Sequence, residues 1–432
     1  MRKPGRFGRN ILSNAGGNAL VSALQLGLLC VLFRIMDDLD YAAFLTAGYL
    51  VGPLEIASDY GVRLWATREF SVTDNPRAVM RQSWKIKIFY TVVAAIALSL
   101  LPLNTLTLGG FLLCILIAAT QPGTDPFLWH MRGRERLDIE AVVVIGSRVA
   151  IVAGMAVGAI AGLPLTGLLW IWLGGNIMRL AVEWRLPISK PLFVRSVEGT
   201  STLQPIRRTI AAVFPLGTAL VLTCIFQRTS LYILEAYATV HDYKIYATAF
   251  KFVSTSGAIA TAIFVSSFAP LSRAVEASDA DAVRAVVRRK MVLVTAVFLP
   301  VCVLGILLVV PLSAWFSSQS LTDVASVMVL LMPGLYVSCV NMGLKFTLNA
   351  FELNWHDVTA VLLGLTTLLL ATTFHGNLSW WTAGALGWFV GESTLLMARL
   401  WLLYSQRKHL GVPVGMIFGS AAALLLMVVF LR

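Results

Sequence analysis

Apolar residues dominate this chain in long continuous runs, not in the spaced stripes of soluble helices. A helix that crosses a membrane needs about 20 apolar residues. On that measure the sequence predicts helices over 9–36, 40–67, 84–104, 106–130, 138–162, 164–185, 206–234, 242–271, 290–316, 322–350, 356–375, 378–404 and 412–431. The expected fold class is an all-α polytopic membrane protein, with a twelve-helix core and one extra C-terminal helix. Two connections, 186–205 and 272–289, are longer than the others. The first falls near the middle of the core. It divides the chain into a six-helix lobe over 1–190, a cytoplasmic linker over 191–205, a second six-helix lobe over 206–405, and an additional helix within 406–432.

Basic residues orient this series. With the N-terminus in the cytoplasm, the inner segments hold 24 Lys and Arg, spread over the N-terminus, 68–87, 132–136, 185–208, 273–290 and 407–408. The outer segments hold three, Arg34, Lys244 and Arg432. Short inner loops rich in Lys and Arg are the usual orientation signal. The expected location is a cell inner (cytoplasmic) membrane. The N-terminal run follows Arg2, Lys3, Arg6 and Arg9 but is too long for a signal peptide and ends in no small-residue cleavage site, so it reads as an uncleaved span.

Composition narrows the function. The chain has 432 residues, 58% apolar and 13% charged, where soluble domains carry about 25% charged. The net charge of +12 lies mostly in topology-setting loops, which argues against nucleic acid. Five cysteines and five histidines are scattered singly, with no CxxC and no HExxH, and there is no Walker A or GxSxG motif. The reading is therefore of a non-enzyme with no catalytic residues, metal or cofactor. The outer loops are too short to house the extracytoplasmic active site of a membrane glycosyltransferase or polymerase.

Seven cations fall inside apolar runs: Arg63, Arg148, Arg179, Arg228, Lys251, Lys345 and Arg399. Each costs roughly 2.5–3.5 kcal/mol at the helix centre on insertion scales, so such residues usually face a bundle interior or a watery cavity. A basic interior fits an anionic cargo. Arg63, Arg228, Lys251 and Arg148 are candidate substrate-binding residues. Glu55, Asp59 and Arg63 are spaced by four and share a helix face; they read either as an ion-coupling site beside a phosphate-binding arginine or as a neutralising Asp59–Arg63 pair. Asp125 is a third candidate coupling acid, and Asp125 or Glu392 is a candidate partner for Arg148. Glu235 and Asp242 are placed to pair with Arg228 or Lys251. Arg179 with Glu183, Lys345 and Arg399 read as structural. The run Gln121-Pro122-Gly123-Thr124-Asp125-Pro126 breaks its helix.

The halves carry a faint repeat. At an offset of 205, Tyr41 aligns with Tyr246, Ala42 with Ala247, Gly52 with Gly257, Ala57 with Ala262 and Arg68 with Arg273. Parallel six-helix repeats are a common transporter plan. Particular segments also resemble a known family. These are Ser58-Asp59-Tyr60-Gly61-Val62-Arg63 with Arg68-Glu69-Phe70, and Asp125-Pro126-Phe127 with Arg132-Gly133-Arg134-Glu135-Arg136. Tyr243 to Lys251, Pro270-Leu271-Ser272-Arg273, Gly384-Ala385 and Gly391-Glu392 complete the set. Over about 400 residues the chain resembles the bacterial oligosaccharide flippases, the polysaccharide transport branch of the multidrug/oligosaccharidyl-lipid/polysaccharide exporter superfamily. It departs from that pattern at Gln227-Arg228, where relatives often hold an acid, and in its thirteenth span.

The resemblance implies two six-helix bundles related by a pseudo-two-fold with a V-shaped cleft. It implies alternating-access transfer of an undecaprenyl-pyrophosphate-linked oligosaccharide, as for O-antigen or exopolysaccharide repeat units, coupled to H+ or Na+. The implied partners are the lipid-linked oligosaccharide, that ion, membrane lipids, and a polysaccharide polymerase with its chain-length machinery. Two alternatives share the fold: a peptidoglycan lipid-precursor flippase and a cation-coupled drug antiporter. Against the first, the interior of the first span, 11–33, has no charge; against the second stands the basic interior.

Overall fold

A computed structural model describes residues 20–21, 23–72, 75–99, 106–134, 136–186, 206–314, 319–374, 376, 378–405 and 412–430. Helices account for nearly all of them, and no strand occurs among the described residues. In chain order they are α1 (Ala23–Ile35), α2 (Asp38–Asp59), α3 (Val62–Val72), α4 (Pro76–Leu98), α5 (Leu108–Ala119), α6 (Gln121–Gly133), α7 (Leu137–Ile160) and α8 (Leu165–Arg185). They continue as α9 (Ile206–Tyr237), α10 (Val240–Glu276), α11 (Ala280–Ala314), α12 (Gln319–Ala350), α13 (Asn354–Thr373), α14 (Trp380–Ser405) and α15 (Val414–Phe430).

Seven stretches among the described residues are long and apolar enough to cross a membrane by length and composition. The chain is a multi-pass membrane protein. Among the other expected spans, α2, α4 and α14 carry charges within their length, among them Glu55, Lys87 and Glu392, α15 is apolar with 17 residues, and side chains in the expected spans 9–36 and 242–271 are described only in part.

Several expected boundaries move. The single helix expected over 40–67 is two, because Tyr60 and Gly61 both adopt left-handed backbone angles, with φ of 38° and 78°. α2 closes with the Tyr60 N–H on the Ile56 carbonyl at 3.1 Å. α3 opens with the Arg63 N–H donating to the Asp59 carboxylate at 2.9 Å. Asp59 thus satisfies one of the orphan N–H groups that every helix start leaves. The break expected at Gln121–Pro126 falls at Thr120, between α5 and α6. α4 starts eight residues before the expected 84, since Asn75 accepts the Ala78 N–H at 3.2 Å and Pro76 occupies the first turn. α11 likewise starts at Ala280, capped by Asp279, which accepts the Ala282 N–H at 2.9 Å. Arg284, Arg288 and Arg289 therefore lie on a helix instead of in a loop. Lys244, expected in an outer segment, is buried in α10. The expected linker over 191–205 lies outside the described residues.

The chain divides into two compact units, Met1–Val221 and Leu222–Arg432, and the division falls within α9. In the first unit α2 packs against α4, α5 and α8, and α3 against α4 and α6. Phe70, Val79, Ile86, Phe127, Trp129 and Met131 form the buried cluster that joins α3, α4 and α6. In the second unit α12 is the hub, packed against α10, α11, α13, α14 and α15. α13 and α14 approach closely, and a Cβ on Gly391 would lie 3.1 Å from the Gly364 carbonyl oxygen and 2.8 Å from Leu368 Cβ. Small residues permit such contact between membrane helices.

The α2–α3 break rests on the first-unit part of α9. The Tyr60 ring stacks on Tyr90 at 4.3 Å, and its hydroxyl is 2.7 Å from the Thr218 hydroxyl. A Cβ at Gly217 would stand 2.2 Å from the Tyr60 ring and 2.6 Å from its carbonyl oxygen. Gly217→Val should therefore destabilise the protein by about 1–3 kcal/mol through overpacking. Tyr60→Phe, losing one hydroxyl bond, should cost only about 0.5–1.5 kcal/mol. Thermal unfolding in detergent measures both, and a Gly217→Val midpoint equal to that of wild type contradicts the contact.

Candidate functional site

Each unit carries its own buried polar cluster. In the first, the Lys87 ammonium of α4 donates to Asp125 Oδ2 of α6 at 2.6 Å, with the lysine side chain fully buried. It also sits 5.3 Å from the centre of the Trp129 ring, a cation–π distance. Gln121 Nε2, at the start of α6, donates to Glu55 Oε1 at 2.8 Å. Asp59 faces Arg63 at 3.6 Å, where the arginine is half exposed. Arg179 Nε holds Glu183 at 2.9 Å one turn on. Arg132 Nε closes the C-terminal end of α6 on Glu140 at 2.8 Å.

The three proposed coupling acids thus differ in kind. Asp59 caps α3 and pairs with Arg63, and Asp125 pairs with Lys87. Glu55 makes no ion pair among the described residues and is held by a neutral amide. The charged side chain acting on it most strongly is Arg148 of α7, which itself makes no hydrogen bond or ion pair among the described residues. The expected partners of Arg148 are corrected accordingly. Asp125 is committed to Lys87, and Glu392 belongs to the second unit, where its carboxylate accepts from Asn341 Nδ2 at 2.6 Å. Glu55, Asp59, Asp125, Arg63 and Arg148 do share one electrostatic neighbourhood, joined by Lys87 and Arg179.

In the second unit the Arg399 Nη2 of α14 reaches Asp357 Oδ1 of α13 at 2.7 Å, both side chains buried. The same guanidinium donates to the Asn341 carbonyl of α12 at 2.9 Å. Lys345 Nζ of α12 donates to the Thr223 hydroxyl of α9 at 3.1 Å. Arg228, also on α9, directs Nη1 to Cys224 Sγ at 3.0 Å and to the Cys224 carbonyl at 3.5 Å. Its buried Nε has no hydrogen-bond partner. Arg228 and Lys345 both act on the Cys224 thiol, so the two cations converge on one turn of α9. Lys251, half-buried in α10, accepts the Thr255 hydroxyl on its carbonyl at 2.7 Å. Asp242 accepts the Thr239 hydroxyl at 2.8 Å at the start of α10.

Sequence reasoning missed Lys87, Gln121, Asp357 and Asn341 as members of these clusters. Lys87 falls where the expected helix 84–104 overlaps the inner basic segment 68–87, so its charge reads as a topology signal. The Asn75-Pro76 pair, a capping residue before a first-turn proline, was the available signal. Asp357 is 42 residues from Arg399, and no local pattern links them.

No family model matches the chain, and no curated protein matches it in sequence. Solved structures do. The lipid II flippase MurJ in an inward closed conformation is similar at TM-score 0.64 and 12% identity, over 97% of this chain and 92% of that one. The eukaryotic MATE transporter AtDTX14 is similar at 0.62 and 12%, over 96% and 98%. The fold is that of the multidrug/oligosaccharidyl-lipid/polysaccharide exporter superfamily. An inward-facing multidrug resistance MATE family transporter of the MOP superfamily, at 0.61 and 12% over 90% and 95%, has it too. On this exporter fold the paired cations separate from those left unpaired by any carboxylate, of which Arg148, Arg228 and Lys345 are the described examples.

The Lys87–Asp125 pair gives a direct test of that separation. Removing one partner of a buried pair costs about 3–5 kcal/mol, whereas replacing both costs far less. Lys87→Met should lower the unfolding midpoint strongly, and Lys87→Met with Asp125→Leu should recover most of the loss. Additive losses in the double variant contradict the pairing.

Proposed function

We propose that the protein is a flippase of an inner (cytoplasmic) membrane, with its N-terminus in the cytoplasm. It moves an undecaprenyl-pyrophosphate-linked oligosaccharide, a polysaccharide repeat unit, from the inner to the outer leaflet by alternating access. The observation that carries the reading is Arg228. Its guanidinium, part-buried in an apolar helix, is bound among the described residues only to a sulfur and a carbonyl of its own helix, and Nε has no hydrogen-bond partner there. A guanidinium fork matches phosphate oxygens bidentately. Arg148, Arg63 and Lys251 are the further candidate contacts. The cluster in the second unit is basic where a site for cationic drugs would be acidic, which disfavours the antiporter. The MurJ likeness favours a lipid pyrophosphate cargo, and an uncharged first-span interior favours an oligosaccharide-linked lipid over the peptidoglycan precursor.

Coupling falls to Glu55. Of the three candidate acids it alone carries no ion pair among the described residues, so gaining or losing a proton there breaks none of the described salt bridges. Asp59 and Asp125 hold structure through the α3 cap and the Lys87 pair.

Two outcomes check this. Arg228→Ala should reduce transfer of a fluorescent polyprenyl-pyrophosphate sugar in proteoliposomes about 10- to 100-fold, the worth of one or two charge-assisted bonds. Transfer at the wild-type rate contradicts the anion contact. Glu55→Gln should leave exchange at equal pH near wild type and abolish uptake driven by an imposed proton gradient. Gradient-driven uptake unaffected by this change removes Glu55 from coupling.

A further inference from the structure

α11 is longer than a membrane crossing requires. It runs 35 residues without a break, and residues 291–314 carry no charge. That uncharged part is about 36 Å long at 1.5 Å per residue, enough for a hydrocarbon core of about 30 Å. Residues 280–290, about 16 Å of the same helix, therefore project beyond the core, through the headgroup layer. Every charge on α11 lies in this projection: Asp281, Arg284, Arg288, Arg289 and Lys290.

The helix has two faces. Val287, Met291, Val294, Phe298 and Cys302 form the buried one, where α11 packs against α10, α12 and α15. The opposite face is an exposed apolar stripe that includes Val292, Leu293, Leu304, Leu307 and Leu308. Such a stripe on a membrane-crossing helix marks a surface for lipid tails. Arg288 stands one turn before Val292 and Arg289 one turn before Leu293, and residues four apart share a helix face. Both arginines are exposed. The stripe thus ends, at headgroup depth, in two guanidinium groups. Neither has an ion pair among the described residues, whereas Arg284 holds Asp281 at 3.2 Å. Asp281 lies about 10 Å along the axis from Arg288, so the cations stand next to the stripe and the acid stands away from it. An orientation signal needs only charge in a short inner segment. It does not require two cations fixed on a folded helix in line with an apolar stripe.

We propose that this face of α11 binds an anionic phospholipid, with its tails along Val292, Leu293 and Leu304 and its headgroup phosphate between Arg288 and Arg289. A guanidinium meets phosphate oxygens in a two-pronged, charge-assisted bond. Each arginine near the surface adds attraction to anionic lipid. The lipid lies in the inner leaflet on the proposed orientation, but its binding depends on neither that orientation nor the cargo.

Native mass spectrometry of delipidated full-length protein, titrated with phosphatidylglycerol or phosphatidylcholine, tests this. Phosphatidylglycerol should bind at least about fivefold more tightly. Arg288→Gln with Arg289→Gln should weaken it by about 10- to 30-fold, the worth of two surface cations. If that double variant does not fold, each single change should cost about fivefold. Removing the same charge from the exposed start of α9, by Arg207→Gln with Arg208→Gln, should change affinity less than about twofold. Equal losses in the α9 and α11 variants reduce the effect to overall charge and overturn the proposal, as does a lack of preference for phosphatidylglycerol. Glycerol 3-phosphate, a headgroup without tails, should not compete at about tenfold excess, and full competition overturns the lipid seat. Displacement mole for mole by the polyprenyl-pyrophosphate sugar makes the face a cargo contact and also overturns it. A dimer that excludes lipid, read in the same spectra, overturns it in favour of a second copy. Transport plays no part in the measurement, so failure of the flippase reading leaves the result intact.

Discussion

Everything in this structure depends on how charges are satisfied away from water. A lone buried charge costs far more than a hydrophobic contact returns, so each one must find an opposite charge, a set of dipoles, or a ligand. Lys87 finds Asp125, Arg179 finds Glu183, and Arg399 finds Asp357. These pairs draw α4 to α6 and α13 to α14, fixing which helices lie side by side. Among the described residues, what the pairing leaves over includes Glu55 on an amide, Arg228 on a thiol, Lys345 on a hydroxyl, and Arg148 with no hydrogen bond or ion pair. Coupling and cargo contact are proposed at Glu55, Arg228 and Arg148 because structure has not already claimed them.

The helical class, the multi-pass character and the likeness to the exporter fold were all legible in the sequence. Long apolar runs and a break near Pro122 are local signals, and local signals survive reading without coordinates. The boundaries that moved did so through caps: Asn75 before Pro76, Asp279 before Ala280, and Asp59 opening α3. A capping side chain carries about 1 kcal/mol, too little to stand out from composition, yet enough to settle where a helix starts. The site was less legible. Its members meet across helices 38 to 122 residues apart in sequence, and that pairing is a property of packing.

The Asp59-Tyr60-Gly61-x-Arg63 segment shows how one short motif can serve two ends. Its two left-handed residues turn the chain, its aspartate starts the next helix, and its arginine is thereby held at a helix start with half its surface open. A reading that assigns Asp59 only to ion coupling overlooks that the same carboxylate is needed to make the turn. Glu55, one turn earlier on α2, is free of that duty.

The buried pairs also set a schedule for making the protein. Lys87 leaves the ribosome 38 residues before Asp125, and Asp357 precedes Arg399 by 42. At roughly 5–20 residues per second, each charge waits several seconds for its counterpart. During that interval an unpaired lysine or aspartate resists partition into lipid. Neither α4 nor α13 has its buried charge matched until α6 and α14, respectively, have emerged.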